Sequence, residues 1–286
     1  MKIGGIEAGG TKFVCGVSDD SLQIVDRCAF ETTTPQDTLG KITDFFASHE
    51  LAALGVGSFG PIGVNSEAKE FGSITNTPKL AWRHYDFLGA LKDQFSSPVG
   101  WTTDVNAAAL GEFRYGAASD KRSCLYLTVG TGIGGGLVVD GQLYQAFSHP
   151  EMGHISVKRH PLDSYTGSCP YHGDCFEGLA AGPAIKGRTG TAAQNLEESD
   201  LAWEIEAYYI AQALVNYTLV LSPEVIILGG GVMKQVHLFD KIRKSFKQQL
   251  GDYVQLPALE DYIVPCALGD NAGLIGCLSL ALSLTQ

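Results

Sequence analysis

The sequence is short of basic residues. Its 20 lysines and arginines stand against 31 aspartates and glutamates, which gives a formal net charge of −11 at neutral pH, and no stretch gathers the basic residues together. Affinity for nucleic acid rests on clustered Lys and Arg side chains that neutralise phosphates. The composition therefore argues against a nucleic-acid partner.

Long hydrophobic runs and a leader segment are also missing. The longest apolar stretch, 274–284, contains two serines and is too short to span a bilayer. Residues 2–6 form an apolar segment with no basic region before it, so we expect no signal peptide. These features favour a cytoplasmic protein without a membrane partner.

A cysteine framework is absent as well. The seven cysteines are odd in number and scattered, apart from the pair Cys169 and Cys175, which favours free thiols in a reducing compartment. With 45% hydrophobic and 18% charged residues the chain is globular, and its 286 residues favour two lobes.

The chain has 35 glycines, and three groups of them follow strand-like segments. Backbone N–H groups in such turns can bind phosphate without side-chain charge, a device that suits an acidic protein. Each turn alone fits an ordinary hairpin, but the three together favour nucleotide binding. They are Gly9-Gly10-Thr11-Lys12, Gly130-Thr131-Gly132 and Gly229-Gly230-Gly231.

Two well-known nucleotide motifs are excluded. The turn at Gly9 has Thr-Lys where a P-loop has Lys-Thr, and a strand follows where a P-loop needs a helix. Glycines 130, 132 and 135 match the spacing of a dinucleotide-binding fingerprint, but Asp140-Gly141 then closes a hairpin, whereas that fingerprint requires a helix.

Five segments have helical periodicity and recognisable ends. Thr34 and Pro35 start the first, and Ser222-Pro223 ends the third. Residues 65–85 carry no clear period, which is typical of a binding loop and equally of a surface excursion. The predicted helices are 34–46, 86–95, 199–221, 235–250 and 271–284.

Asp104 lies where a strand ends and a further helix begins. Val105, Ala109, Leu110 and Phe113 recur at helical spacing after it. A carboxylate is stabilised there by the helix dipole and by free N–H groups, so a helix cap is the plain interpretation and a catalytic carboxylate the alternative.

Cys169, His172 and Cys175 recur at two-residue spacings, and His154 precedes them. Four nitrogen and sulfur ligands suit a closed tetrahedral zinc site of structural function, with His160 as a spare ligand. A disulfide between Cys169 and Cys175, or two free thiols, is the alternative.

Two carboxylates flank these ligands, Glu151 three residues before His154 and Glu177 two after Cys175. Acidic groups held by a metal-anchored loop can accept hydrogen bonds from sugar hydroxyls. Solvated surface charge remains the other interpretation.

Six motifs in this order resemble the ROK (repressor, open reading frame, kinase) sugar kinases, and within them the zinc-containing bacterial fructokinases. The resemblance spans the chain. Its motifs are Glu7-Ala-Gly-Gly-Thr-Lys12, Thr103-Asp-Val-Asn-Ala-Ala-Ala-Leu-Gly-Glu112, Gly130-Thr-Gly-Ile-Gly134, Glu151-Met-Gly-His154, Cys169-x-x-His172-x-x-Cys175-x-Glu177 and Ile227-Leu-Gly-Gly-Gly231.

The resemblance implies a two-lobed α/β fold of the actin/hexokinase (ribonuclease H-like) type, with the active site between the lobes. It implies ATP with Mg²⁺, a hexose substrate, structural Zn²⁺ and a homodimer. We expect residues 1–106 and the last helix, about 271–286, to form the smaller lobe and 107–270 the larger one.

Residue by residue, the resemblance makes Asp104 the general base and Glu151 and Glu177 ligands of sugar hydroxyls. It places Gly60, Pro61 and Thr103 beside the sugar, and Pro183 with the three glycine turns beside the nucleotide. The implied zinc ligands are His154, Cys169, His172 and Cys175.

Three positions depart from the usual family residue. Glu7 replaces Asp near the phosphates, Thr103 replaces an Asn that glucose-type members aim at a sugar hydroxyl, and His172 replaces Cys while remaining a competent ligand.

The activity implied is phosphorylation of D-fructose to fructose 6-phosphate. Glucose, mannose or an N-acetylhexosamine is the alternative substrate within the family. A sugar-sensing regulator and an actin- or chaperone-like ATPase are the alternatives in other classes.

Overall fold

The structure is a computed structural model that describes residues 1–285. Its strands are β1 (Ile3–Ala8), β2 (Lys12–Ser18), β3 (Ile24–Glu31), β4 (Leu54–Ser58), β5 (Ser73–Ile74), β6 (Tyr85–Asp86), β7 (Val99–Thr103), β8 (Ser123–Val129), β9 (Ile133–Val139), β10 (Gln142–Leu143), β11 (Ile226–Gly229) and β12 (Ile263–Pro265). Its helices are α1 (Pro35–Phe46), α2 (Phe87–Gln94), α3 (Asp104–Tyr115), α4 (Phe176–Ala180), α5 (Gly182–Thr189), α6 (Ala202–Leu221), α7 (Leu238–Leu250), α8 (Leu259–Tyr262) and α9 (Ala272–Ser283).

The chain divides into two compact units. The first contains 1–119, 141–149 and the chain from residue 268 onward, and the second contains 120–140 and 150–267. The first unit therefore extends past residue 106, where we expected the lobe boundary. Helix α3 belongs to it entirely, because α3 packs along α9.

The sheet of the first unit has the strand order β3-β2-β1-β4-β7. Its first three strands are antiparallel, whereas β4 and β7 run parallel to β1. Helix α9 lies on this sheet at close range: a Cβ added to Gly55 of β4 would fall 1.9 Å from the carbonyl oxygen of Cys277. The same closeness joins the two helices, since a Cβ at Gly276 would lie 1.6 Å from the carbonyl oxygen of Ala107.

The second unit contains β9, β8, β11 and β12 in this order, with β8 antiparallel to β9 and parallel to β11. Its core is built around α6, which carries buried side chains on nearly every side and packs against α7. A helix that is apolar all round must be enclosed by other elements, which explains why the longest helix lies in the interior.

The predicted helices are present, with shifted ends. Thr34 caps α1, and Pro35 is its first residue, as expected. Helix α6 begins at Ala202 and not at Ser199, because Asp200 accepts a hydrogen bond from the N–H of Ala202 at 2.8 Å and so marks the start. A 3-10 turn at Val232–Lys234 delays the start of α7 to Leu238.

A strand follows each of the first two glycine turns: β2 begins at Lys12, and β9 begins at Ile133. Both nucleotide motifs require a helix at that place, so the exclusion of the P-loop and of the dinucleotide fingerprint is confirmed. Among residues 1–285, no helix combines the length and the apolar character that crossing a membrane requires.

Candidate active site

The turn between β1 and β2 belongs to the first unit. Its base is closed by the N–H of Gly9, which donates to the carbonyl of Lys12 at 3.0 Å. The hydroxyl of Thr32 donates to the carbonyl of Gly9 at 2.7 Å and holds the turn from the side. Thr11 and Lys12 are exposed at its tip, where they are free to meet an anion from solvent.

In the second unit, the structure brings the other two glycine turns together. A Cβ at Gly130 would lie 3.6 Å from the backbone nitrogen of Gly231. Gly230 has φ +92°, a conformation that favours glycine. The N–H of Gly182, at the start of α5, donates to the carbonyl of Gly130 at 2.7 Å, and Pro183 follows it in the first turn. Glycine-bearing backbone from three segments thus meets at one place, where the lack of side chains allows a ligand to approach closely.

Asp104 is the first residue of α3, but it is not the cap. The cap is Thr103, whose hydroxyl oxygen accepts a hydrogen bond from the N–H of Asn106 at 3.1 Å. Asp104 Oδ1 accepts from the N–H of Val105 at 2.9 Å. The plain interpretation of Asp104 as a helix cap is therefore wrong, and the positive end of the helix dipole stabilises its carboxylate instead.

Thr103 itself is only 3% exposed. Because its oxygen already accepts from Asn106, its hydroxyl proton is what remains to be donated. The Thr103 side chain thus caps α3, at the position where we expected a residue that selects the sugar.

Gly60 and Pro61 belong to a loop after β4 that is held from two sides. The carbonyl of Pro61 accepts hydrogen bonds from the backbone N–H and the hydroxyl of Thr75, at 2.7 and 3.0 Å. The next N–H, that of Ile62, donates to Nε2 of His149 at 3.1 Å. Sequence reasoning missed His149 as a member of this site, and no local signal points to a partner 87 residues away.

The two carboxylates of the second unit lie close enough to affect each other. Although Glu151 as a residue is exposed, desolvation of its carboxylate and the charge of Glu177 raise its pKa to about 7. Glu177 Oε2 accepts a hydrogen bond from the N–H of Ile133 at 2.8 Å. Its other oxygen lies 3.9 Å from Nε2 of His154.

The structure also gathers His154, Cys169, His172 and Cys175. One ligand atom of each lies within 4.8 Å of the others. Nδ1 of His154 is 3.7 Å from the sulfur of Cys169 and 3.5 Å from that of Cys175. Sulfur and nitrogen bound to one tetrahedral zinc ion are about 3.5 Å apart, from metal distances of about 2.3 and 2.0 Å. The donor set and its spacing fit zinc.

The loop that carries these ligands turns tightly. Cys169 and Gly173 exchange two backbone hydrogen bonds, at 3.0 and 3.2 Å, so His172 projects from a hairpin tip and is exposed. His160 is not part of this group: its Nδ1 accepts from the N–H of Leu162, and its ring contacts Tyr208. All seven cysteines are free thiols, including Cys169 and Cys175.

Glu7 is half-buried at the end of β1 beside the start of α9. A Cβ at Gly273 would lie 2.7 Å from its Oε1, and burial raises the pKa of this carboxyl. Among the described residues, its Oε2 has no hydrogen-bond partner. The longer side chain thus reaches into the N-terminus of α9.

Comparison with known proteins matches residues 3–283 to the ROK family. A fructokinase of Pediococcus pentosaceus is 48% identical over 281 residues, which are 98% of this chain and 98% of the relative. A fructokinase of Streptococcus mutans is 44% identical over 284 residues, or 97% and 96% of the two chains.

Among solved structures, a ROK family glucokinase from Streptomyces griseus in complex with glucose and AMPPNP aligns with a TM-score of 0.80. The identity is 25%, over 99% of this chain and 100% of the other. The expected actin/hexokinase-like α/β fold is confirmed by this likeness.

Proposed function

Because the chain belongs to the ROK family, we propose that it is an ATP-dependent sugar kinase that converts D-fructose to fructose 6-phosphate. One observation carries the choice of fructose: relatives named fructokinase share 48% and 44% of their residues with this chain over nearly its whole length. A kinase of this class moves a phosphoryl group and needs positioned carboxylates and phosphate-binding turns, both of which the sequence supplies.

We assign Asp104 as the general base. It takes the proton from the 6-hydroxyl of fructose while the O6–P bond forms and the bond between the γ-phosphorus and the bridging oxygen breaks, which releases ADP. Its place at the first turn of α3 supports this role, because the positive end of the helix dipole stabilises negative charge on the carboxylate that would accept the proton.

ATP is assigned to the glycine turns. In the second unit, Gly130, Thr131, Gly132 and the glycines 229–231 form one group of turns around the start of α5, where Pro183 lies in the first turn and contributes shape but no N–H. In the first unit, Gly9, Gly10, Thr11 and Lys12 offer a second group with one positive side chain. Mg²⁺ bound with the nucleotide supplies charge neutralisation at the transferred phosphoryl group.

Candidate groups for binding sugar hydroxyls are assigned within each unit separately. In the first unit these are Thr103 and the loop of Gly60 and Pro61, and in the second unit Glu151 and Glu177. Carboxylates suit vicinal hydroxyls because each has two acceptor oxygens, and Glu177 retains acceptor capacity although Oε2 already accepts from Ile133.

We assign the cluster of His154, Cys169, His172 and Cys175 to structural Zn²⁺. These four protein ligands would complete a tetrahedral shell and leave no open position for substrate, as in structural zinc sites. The ion would hold the segment between the 3-10 turn Met152–His154 and α4, where regular structure is sparse. We further propose a cytoplasmic homodimer that requires neither nucleic acid nor a membrane.

The test is an ATP-coupled assay of ADP release with fructose, mannose, glucose and N-acetylmannosamine, each over a range of concentrations. A reaction without sugar is the control, since undiminished ADP release there would identify an ATPase. Fructose should give the highest kcat/KM, and phosphorus NMR should place the product phosphate on O6. If no sugar is phosphorylated, the proposed function is wrong.

A further inference from the structure

The carboxylate of Glu177 touches two parts of the second unit at once. Its Oε2 accepts the hydrogen bond from the N–H of Ile133 at 2.8 Å, and its Oε1 lies 3.9 Å from Nε2 of His154. Both side chains of the pair are about one quarter exposed. Glu177 therefore stands between the Cys/His cluster on one side and β9 on the other.

Ile133 is the first residue after the turn Gly130–Gly132, so a hydrogen bond to its N–H restrains the end of that turn. A Cβ at Gly132 would lie 2.7 Å from Oε2 of Glu177, which shows how closely the carboxylate covers the turn. The carbonyl of Ile133 is also closely covered, since a Cβ at Gly153 would lie 2.0 Å from its oxygen. Gly153 directly precedes His154, so the chain next to the Cys/His cluster packs against Ile133, the residue next to the turn.

The two nitrogens of His154 face different partners. Nδ1 points at the sulfurs of Cys169 and Cys175, and Nε2 points toward Glu177. A histidine that binds a metal through one nitrogen usually directs the other, as N–H, toward a carboxylate or carbonyl, and that outer partner fixes the ring. Glu177, with its Oε1 at 3.9 Å from Nε2, is the carboxylate on that side of the ring.

We propose that Glu177 couples metal occupancy of the Cys/His cluster to the conformation of the Gly130–Gly132 turn, and through it to nucleotide affinity. Zinc would orient the ring of His154, the ring would hold the carboxylate, and the carboxylate would hold the N–H of Ile133. This inference rests on the proposed function in one respect, that the ligand of the turn is the phosphate chain of ATP. It gives the zinc a consequence beyond stabilising its own loop.

The experiment uses the full chain without sugar, so that the sugar contacts assigned to Glu177 have no effect. Zinc-loaded, chelated and zinc-reloaded protein are compared in two ways. Hydrogen exchange measures protection of the peptide that spans 130–134, and calorimetry measures binding of a non-hydrolysable ATP analogue with Mg²⁺. Removal of zinc should speed exchange in 130–134 and weaken analogue binding several-fold, and reloading should restore both.

Two variants separate coupling from general loss of structure. Glu177→Ala in zinc-loaded protein should reproduce the faster exchange, and should lower zinc affinity by about 10-fold to 100-fold, as loss of an outer partner does elsewhere. Glu151→Gln is the matched control, since it alters the other carboxylate of this region and leaves the hydrogen bond to Ile133 in place. Its zinc dependence should equal that of the unmodified chain.

Linkage adds a check in the reverse direction. If zinc tightens analogue binding by some factor, the analogue must tighten zinc binding by the same factor. Equal exchange of 130–134 and equal analogue affinity in folded protein with and without zinc would overturn the proposal. If the chelated chain unfolds, Glu177→Ala decides: unchanged exchange and zinc affinity also overturn it. Failure of the analogue to bind any form would contradict the proposed function instead, while the exchange data would still test the coupling.

Discussion

Nε2 of His149 accepts a hydrogen bond from the backbone N–H of Ile62 at 3.1 Å. The imidazole also lies against the preceding loop, where a Cβ at Gly60 would be 3.6 Å from its Cε1. With Thr75 bound to the carbonyl of Pro61, the loop assigned to the sugar has an anchor on each side. His149 is thus a positioning residue for that loop.

We predict that His149→Phe raises the KM for fructose about fivefold while kcat changes little. Phenylalanine keeps a ring of similar size but offers no acceptor to Ile62, and one such hydrogen bond contributes about 1 kcal/mol. Steady-state kinetics with fructose and ATP varied separately measure the effect. His149→Gln restores an acceptor and should recover most of the affinity; equal KM values in all three proteins would contradict the role.

Replacement of Asp104 by Asn should lower kcat by roughly two orders of magnitude or more, because general-base catalysis typically contributes that much. The amide keeps the shape and the contact with Val105 but cannot take the proton. Calorimetry should find fructose binding largely intact. Asp86→Asn is the control, since Asp86 caps α2 by accepting from Gly89 and is outside the assigned site. Comparable turnover of Asp104→Asn and the unmodified chain would remove Asp104 from the mechanism.

Variants of Thr103 should separate its structural from its substrate role. Thr103→Ala removes the cap of α3 and should lower the free energy of unfolding by about 1 kcal/mol. Thr103→Asn keeps a capping oxygen and restores the amide of the glucose-type members, so stability should hold. The ratio of kcat/KM for glucose to that for fructose should then rise about fivefold, the effect of one hydrogen bond of about 1 kcal/mol. An unchanged ratio with normal stability would show that sugar choice lies elsewhere.

Glu206 should make the protein less stable as the pH rises. The side chain is fully buried in α6, and neither carboxylate oxygen has a hydrogen-bond partner among the described residues. Burial raises its pKa well above 4.5, while the charge of Arg188 opposes the shift and that of Asp163 adds to it. Arg188 is itself held by Asp163 at 2.9 Å.

The sign follows from proton binding. Above pH about 4.3 the unfolded chain loses the proton of Glu206 while the folded chain keeps it, so the free energy of unfolding falls by up to about 1.4 kcal/mol for each pH unit until the folded pKa is reached. Glu206→Gln should remove this slope, and its gain in stability over the unmodified chain should grow from pH 5 to pH 8. Urea unfolding at several pH values measures this. Glu204→Gln, an exposed change on the same helix, should show no such growth, and a constant difference for Glu206→Gln would contradict the account.

Much of the architecture follows from local pattern. The cap at Thr34, the glycine turns after strands and the start of a helix near Asp104 depend on residues three or four positions apart, which a sequence displays directly. Even here the identity of the capping residue depended on backbone geometry. Thr and Asp are both good helix caps, and it is the hydroxyl oxygen of Thr103 that accepts the hydrogen bond from the N–H of Asn106. The lobe boundary was harder to predict from the sequence, because α3 joins the first unit by packing on α9, a helix more than 150 positions later in the chain.

Six motifs in order were enough to indicate the family, the four candidate zinc ligands and the carboxylate at the start of α3. Which of these groups contact one another became clear from the folded chain. His149 meets Ile62 across 87 residues, and Glu177 meets Ile133 across 44. Such contacts arise when distant segments pack, and periodicity, capping and turn signals describe only neighbours along the chain. For the same reason the burial of Glu206, and with it the expected loss of stability at higher pH, could be read only from the folded chain.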